Sequence, residues 1–156
     1  MTERLQAVAL LVANPAGDIL VLQEFVAKPH IGKETAMWSP PMETLEPGMS
    51  DHFGLQQLHT QELEGLPSIK VPGRYVGAYG VVPDAWARLY ATVSTTYDLP
   101  VSVGQADVGN HQWIPPQKAC GLWLRRGALE MIQDYMAGPA TWPVFRYDCR
   151  QPRASA

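Results

Sequence analysis

The chain has 156 residues, enough for one domain with a sizeable buried core. Hydrophobic residues make up 46% of it and charged residues 17%, which excludes a disordered protein and indicates a globular one. The formal net charge of −3 excludes a basic protein that coats nucleic acid, so we expect no nucleic-acid partner. Cys120 and Cys149 are too few and too scattered for a disulfide scaffold or a zinc site, so we expect a reducing, cytoplasmic environment.

The first apolar segment, LQAVALLVA, is too short to span a membrane and has no signal-peptide cleavage pattern, so we expect no membrane partner. A strand over Leu5–Asn14, the turn NPAGD and a second strand over Asp18–Phe25 predict a hairpin. In the segment MWSPP, Pro40 and Pro41 stop any strand.

A helix is predicted next. Ser50 is a candidate N-cap, and Asp51 in the first turn is favourable for the helix dipole. The helix is predicted over Asp51–Leu63, and Gly65 lies where it should end.

The second half of the chain predicts three more strands and one more helix. Strands over Val71–Asp84 and Trp86–Leu99 are expected to pair, and HQWIPP is a short strand stopped by its prolines. A second helix is predicted over Leu122–Gly138, although Gly127 weakens its first turn. Its apolar stripe at helical spacing consists of Ala128, Leu129, Ile132, Tyr135 and Met136.

This order of elements disfavours a parallel, doubly wound sheet, because helices do not alternate with single strands. We predict an α/β protein of the α+β type, with a mixed β-sheet packed between helices. Residues 1–138 are expected to form the single domain, and residues 139–156 a proline-containing tail that is loosely attached. Trp142, Val144 and Phe145 could dock part of this tail.

The segments GDILVLQE, Trp-x-Pro at Trp38–Pro40, a Glu-x-Gly loop at Glu46–Gly48 before a helix, GAY and HQWIPP occur in a characteristic order. In this order and spacing the chain resembles the Nudix hydrolase (MutT-like) family over residues 5–137. The resemblance implies the Nudix fold and a magnesium- or manganese-dependent pyrophosphatase acting on nucleoside diphosphates linked to a further group. It also implies a small-molecule nucleotide or diphosphate ligand and, by analogy, a homodimer.

The family box reads G-x5-E-x7-R-E-U-x-E-E-x-G-U, where U is apolar. Its glutamates lie on one helix face and bind divalent ions, which neutralise a diphosphate and activate water. Anchored on Glu46, the box has Met49 and Gln57 in place of its first Glu and its Arg, and retains Glu62. Anchored on Gly65, it also retains Glu62.

A third register places Leu58 at the apolar position and Gln57, Thr60 and Gln61 on the metal face. The sequence does not select one register. None of the three keeps the Arg-Glu pair or more than one helix carboxylate, so we predict a degenerate active site with weak or lost hydrolysis.

Several residues are candidates for the site, each with a plain alternative as a solvated or core residue. Glu62 and Asp107 are catalytic candidates, and Glu62, Glu46 and Glu64 are the candidate ligands of Mg²⁺ or Mn²⁺. Should the protein be inactive, no metal is expected. Arg74 and Arg88 could contact phosphate, and Trp38, Tyr79 and Trp86 could stack on a base. His52 and His59 lie on roughly one helix face.

Three functional hypotheses follow. The first is a Nudix-fold protein that retains nucleotide or diphosphate binding with weak or lost hydrolysis. The second is a divergent but active pyrophosphohydrolase that draws carboxylates from several loops. The third is a non-enzymatic interaction domain.

Overall fold

The computed structural model describes residues 5–27, 34–64, 66, 69–81, 85–100 and 108–148. Within these residues the strands form one mixed, eight-stranded sheet. The strands are β1 (Leu5–Ala13), β2 (Ile19–Glu24), β3 (Trp38–Ser39), β4 (Met42–Leu45), β5 (Arg74–Val81), β6 (Ala85–Val93), β7 (Val108–Ile114) and β8 (Val144–Asp148). The helices are α1 (Asp51–Glu62), α2 (Pro116–Ala119) and α3 (Ala128–Ala137).

The sheet has the order β3-β2-β1-β6-β5-β8, with β4 pairing with β1 and β7 pairing with β2. The pairs β1–β6 and β5–β8 are parallel, whereas β1–β2, β1–β4, β2–β7 and β5–β6 are antiparallel. The mixed sheet and the hairpin of β1 and β2 confirm the predicted fold class.

Strand β1 is apolar from Ala7 to Ala13, where both of its faces are buried. Ala7, Ala9 and Leu11 pack toward α3, in a cluster with Met131 and Ile132. Residues of the opposite parity, Val8, Leu10 and Val12, pack toward α1 in a second cluster with Leu55 and Leu58. The sheet therefore lies between helices, as period-two alternation with two covered faces requires.

Helix α1 begins where the sequence predicts. The Ser50 hydroxyl accepts a hydrogen bond of 3.1 Å from the Phe53 amide, which confirms the N-cap. Gly54 lies so close to β4 that a Cβ atom there would overlap the Leu45 side chain. The missing side chain thus lets the helix pack closely on the sheet.

Three parts of the prediction need correction. The strand β4 follows directly after Pro40 and Pro41, although we expected these prolines to stop any strand there. Helix α3 starts at Ala128 rather than Leu122, because Gly127 has a left-handed φ of 94°.

The third correction concerns the segment expected to be loosely attached. Its first part makes a 3₁₀ turn at Pro139–Thr141 and then forms β8 in the sheet. Trp142 docks there by stacking on Tyr135 and by donating from Nε1 to the Asp134 carbonyl.

No helix within the described ranges is both long enough and apolar enough to cross a bilayer.

Candidate functional site

A buried ion pair joins the end of β2 to the segment before α3. The Nη1 atom of Arg125 lies 3.5 Å from Oε1 of Glu24 and 3.6 Å from Sδ of Met42. The Arg125 side chain is 11% exposed and that of Glu24 is 1% exposed. Charges are rarely enclosed in this way unless they are paired.

Backbone hydrogen bonds fix both partners of this pair. Glu24 donates its amide hydrogen to the Met37 carbonyl and accepts one from the Ala36 amide, each at 2.8 Å. The segment carrying Arg125 runs along β3, where the Trp38 amide donates to Trp123 and the Arg125 amide donates to Trp38. The backbone on both sides of the ion pair is therefore hydrogen-bonded to a neighbouring segment.

Glu62 approaches the same place from the end of α1. Its backbone carbonyl accepts a hydrogen bond of 2.8 Å from Nε2 of His111 on β7, which fixes the tautomer of this buried imidazole. Its negative charge, like that of Glu24, acts on the Arg125 guanidinium. Burial lowers the pKa of Arg125, and the charges of Glu24 and Glu62 oppose this shift by raising it.

The outer face of α1 is polar but uncharged at its centre. Gln57 is half-buried, while Thr60 and Gln61 are exposed. The Thr60 hydroxyl donates to the Gln56 carbonyl one turn earlier. This helix face therefore presents amides and a hydroxyl rather than carboxylates.

A second charged cluster ties the start of α1 to the sheet. Arg88 donates to both carboxylate oxygens of Asp51, at 2.7 and 2.6 Å, and to Gln6 at 2.5 Å. The Tyr90 hydroxyl donates to Asp51 at 2.6 Å. Burial alone would raise the pKa of Asp51. The hydrogen bonds from Arg88 and Tyr90 and the charge of Arg88 outweigh this effect, so the pKa lies below its ordinary value.

Several solved structures share this architecture and superpose on most of the chain. A MutT protein from Methanosarcina mazei Go1 has a TM-score of 0.65 and 17% identity, covering 88% of this chain and 97% of that one. The NUDIX domain of Shewanella oneidensis NrtR, complexed with ADP ribose, has a TM-score of 0.64 and 11% identity, with coverage of 88% and 89%. The chain has the Nudix fold.

An ADP-ribose pyrophosphatase from Streptococcus suis has the same Nudix fold, with a TM-score of 0.64 and 13% identity over 94% of this chain and 100% of that one. No protein-family model matches the sequence, and a search of curated proteins finds no match. Sequence identities this low show a shared fold but not a shared function.

The burial of side chains on α1 distinguishes between the three registers of the Nudix box. Leu55 and Leu58 are fully buried against the sheet, whereas His59 is half-buried and bonded through Nε2 to the Leu66 carbonyl at 2.6 Å. This favours the register with Leu58 at the apolar position. Gln57, Thr60 and Gln61 then stand on the face where the family carries metal-binding glutamates.

The donor set does not fit a Mg²⁺ or Mn²⁺ site. Hard divalent ions require several charged oxygen ligands, and this helix face offers only neutral ones. In the described parts of the chain, no group of three or more His, Cys, Asp or Glu side chains could hold a metal ion.

The predicted phosphate and base contacts do not converge on one place. Arg88 already donates to Asp51 and Gln6, so its guanidinium is engaged within the fold. Tyr79 is fully buried and donates to Asp134 at 2.9 Å, so its ring cannot stack on a base. The burial of Tyr79 corrects the prediction that its ring stacks on a base, whereas the contact of Arg88 with phosphate stays a prediction.

Trp38 and Arg74 lie apart from each other. Trp38 is half-buried on β3 and packs against the core on the α3 side of the sheet. Arg74 is exposed at the start of β5, and its guanidinium lies 5.6 Å from the centre of the Trp142 ring. Trp38 thus lies beside the segment that carries Arg125, whereas Arg74 contacts Trp142 in the C-terminal segment.

The predicted carboxylates are also dispersed. Glu46 is exposed in the turn before α1, and Glu64 is exposed beyond the end of this helix. Asp107 lies outside the described residues. Glu62 alone of the three described carboxylates acts on the buried cluster.

Sequence reasoning missed Glu24, Arg125 and His111. Glu24 carried a signal, since it follows Leu20 and Leu22 on one face of an apolar strand, where a charge is unexpected. Arg125 carried no such signal, because two adjacent arginines do not indicate which of them is buried, and only the structure shows that Arg126 is exposed.

Proposed function

We propose that this Nudix-fold protein binds a nucleotide or a related diphosphate compound and hydrolyses it weakly or not at all. The observation that carries the proposal is the neutral face of α1, formed by Gln57, Thr60 and Gln61. Without clustered carboxylates, divalent ions are held weakly and cannot activate water efficiently.

The class of ligand is supported by the structural neighbours. The Shewanella domain is complexed with ADP ribose, and the Streptococcus protein is an ADP-ribose pyrophosphatase. We carry this chemistry to the present chain as a proposal, since the same fold can serve different ligands.

The test combines binding with turnover. The purified protein is titrated calorimetrically with ADP-ribose, nucleoside triphosphates, dinucleoside polyphosphates and nucleotide sugars, in EDTA, in Mg²⁺ and in Mn²⁺. Products are quantified by chromatography under the same conditions. We expect binding of at least one compound, with little or no product in either metal.

A Glu62→Gln variant separates this proposal from the active alternative, with Glu130→Gln on α3 as the matched control. The alternative is a divergent pyrophosphohydrolase using Glu46, Glu62, Glu64 and Asp107. Metal-dependent turnover that is lost only in Glu62→Gln would establish that alternative. Failure of every compound to bind would refute the proposal and favour an interaction domain.

A cytoplasmic location and a homodimer remain parts of the proposal. Sedimentation velocity gives the oligomeric state directly, and a monomer at micromolar concentration would remove the homodimer from it.

A further inference from the structure

The Arg125 side chain uses only part of its hydrogen-bonding capacity, although it is almost enclosed. Within the described residues its hydrogen bonds all come from Nη1, to Glu24 at 3.5 Å and to the Met42 sulfur at 3.6 Å. Both contacts are long compared with the usual length of about 2.8 Å for a charge-assisted bond, and a thioether is a weak acceptor. The N–H groups on Nε and Nη2 therefore lack an acceptor in the part of the chain that the structure describes.

A second buried donor stands beside this guanidinium. Trp38 pairs with Leu124 in parallel register, so Ser39 and Arg125, the next residue of each segment, are neighbours on one face. Trp38 and Leu124 pack against the cluster on the α3 side, which places Ser39 and Arg125 on the α1 side. Ser39 is 1% exposed, and its hydroxyl has no hydrogen-bond partner among the described residues.

Enclosed donors without acceptors are unfavourable, which indicates that a ligand supplies the acceptors here. Phosphate oxygens fit these donors best, because the planar edge formed by Nε and Nη2 can bind two oxygens of one phosphate group. Glu24 contacts Nη1, which does not belong to this edge. Its carboxylate therefore orients the guanidinium and leaves the edge open.

We propose that this protein binds the diphosphate of its ligand without a metal ion, through Arg125 and Ser39. This inference rests on the proposed function and specifies how the binding works. A diphosphate needs positive charge beside its oxygens, which divalent ions supply where clustered carboxylates hold them. The outer face of α1 offers no such cluster, whereas Arg125 is a cation fixed within the chain. Because Glu24 offsets part of its charge, we expect weak binding of inorganic diphosphate alone.

Inorganic pyrophosphate is the probe, because every compound of the proposed class contains a diphosphate. Its binding is measured calorimetrically, up to millimolar concentration, in EDTA and then with Mg²⁺ in place of EDTA. The wild type should bind it in EDTA. Binding should be weaker by about tenfold or more in Arg125→Met and by about threefold in Ser39→Ala. Arg126→Met, which changes the exposed neighbouring arginine, is the matched control and should bind like the wild type.

Thermal melting separates a ligand contact from a structural role. The Ser39 hydroxyl has no partner within the described residues, so Ser39→Ala should melt no lower than the wild type. Arg125→Met leaves the enclosed Glu24 without this cation, which destabilises the fold. If that variant does not fold, Arg125→Lys takes its place. Lysine keeps the charge but lacks the planar edge, so this variant should also bind pyrophosphate more weakly than the wild type.

Pyrophosphate binding that appears only with Mg²⁺ would overturn the inference. Equal affinities of the wild type and the folded Arg125 variants would do the same, as would a wild type that binds no pyrophosphate in EDTA. The proposed function survives each of these results as long as ADP-ribose or another nucleotide still binds. If neither pyrophosphate nor any nucleotide binds, both proposals fail.

Discussion

Asp51 joins the first turn of α1 to β6 through one carboxylate with three donors. Two come from the Arg88 guanidinium in a planar, two-point contact and one comes from the Tyr90 hydroxyl. Such charge-assisted bonds are stronger than neutral ones. The carboxylate also lies at the N-terminal end of the helix, where the helix dipole favours negative charge.

Replacing Asp51 by Asn should destabilise the fold by about 2 kcal/mol, because Arg88 loses its charged partner. The pKa of Asp51 is lowered on folding, so its contribution is complete well above the ordinary value of 3.8 and is lost as the pH falls below it. Urea unfolding between pH 6 and pH 3 measures this. Asp98→Asn, in an exposed loop, is the control. Equal acid sensitivity of wild type and Asp51→Asn would contradict the assignment.

His111 titrates in a different window. Burial lowers its pKa below the ordinary value of 6.5, and the hydrogen bond to the Glu62 carbonyl opposes this shift. The folded protein therefore favours the neutral ring. This preference contributes fully to the free energy of unfolding above pH 6.5, and the contribution is lost as the pH falls through the pKa of His111 in the folded state.

Between pH 7 and pH 5 the free energy of unfolding of the wild type should fall more steeply than that of His111→Gln, whose amide can still donate to Glu62. The exposed His52→Gln variant serves as the comparison and should follow the wild type. Parallel curves for wild type and His111→Gln would show that the ring is not the titrating group.

At the scale of elements, α1 was predictable from local signals, namely the Ser50 cap, the polar start and the leucines three residues apart. The strand β4 was not predictable in this way, because it follows two prolines and only Leu45 of its four residues is buried. Helix α3 was predicted too long because residues 123–125 pair with β3 instead, and this pairing depends on residues distant in the sequence.

The docking of the tail depends on Trp142, which stacks on Tyr135 with ring centres 5.6 Å apart and is covered by Arg74. Trp142→Ala should lower the free energy of unfolding by about 2 kcal/mol and expose a protease site near residue 139. Trp142→Phe keeps a stacking ring but loses the indole hydrogen bond, so its effect should be intermediate. Limited proteolysis with mass spectrometry locates the cut.

The exposed Trp123→Ala variant controls for loss of a tryptophan in general. Cleavage at the same rate in all three variants would mean that the indole ring does not hold the tail.

At the scale of the whole molecule, the sequence was sufficient for the fold class and for most elements. Apolar runs, turn residues and caps act locally, and each leaves a mark in the order of residues. The candidate site was harder to predict from the sequence. Glu24 and Arg125 are far apart in the sequence, and no periodic pattern indicates that they are in contact. The registers of the helix were separated only once the burial of Leu58 was known.

The parallel pairing of β1 with β6 has a consequence for how the protein is made. Leu5 pairs with Ala85 and Ala13 with Val93, so every contact of this central pair spans eighty residues. Pairings of such long range form slowly, and a chain leaving the ribosome cannot make this one until β6 has been synthesised. Of the three described strands that pair with β1, β2 and β4 are synthesised before β6. The apolar strand β1, at the centre of the finished sheet, therefore needs protection from aggregation in the nascent chain until β6 is available.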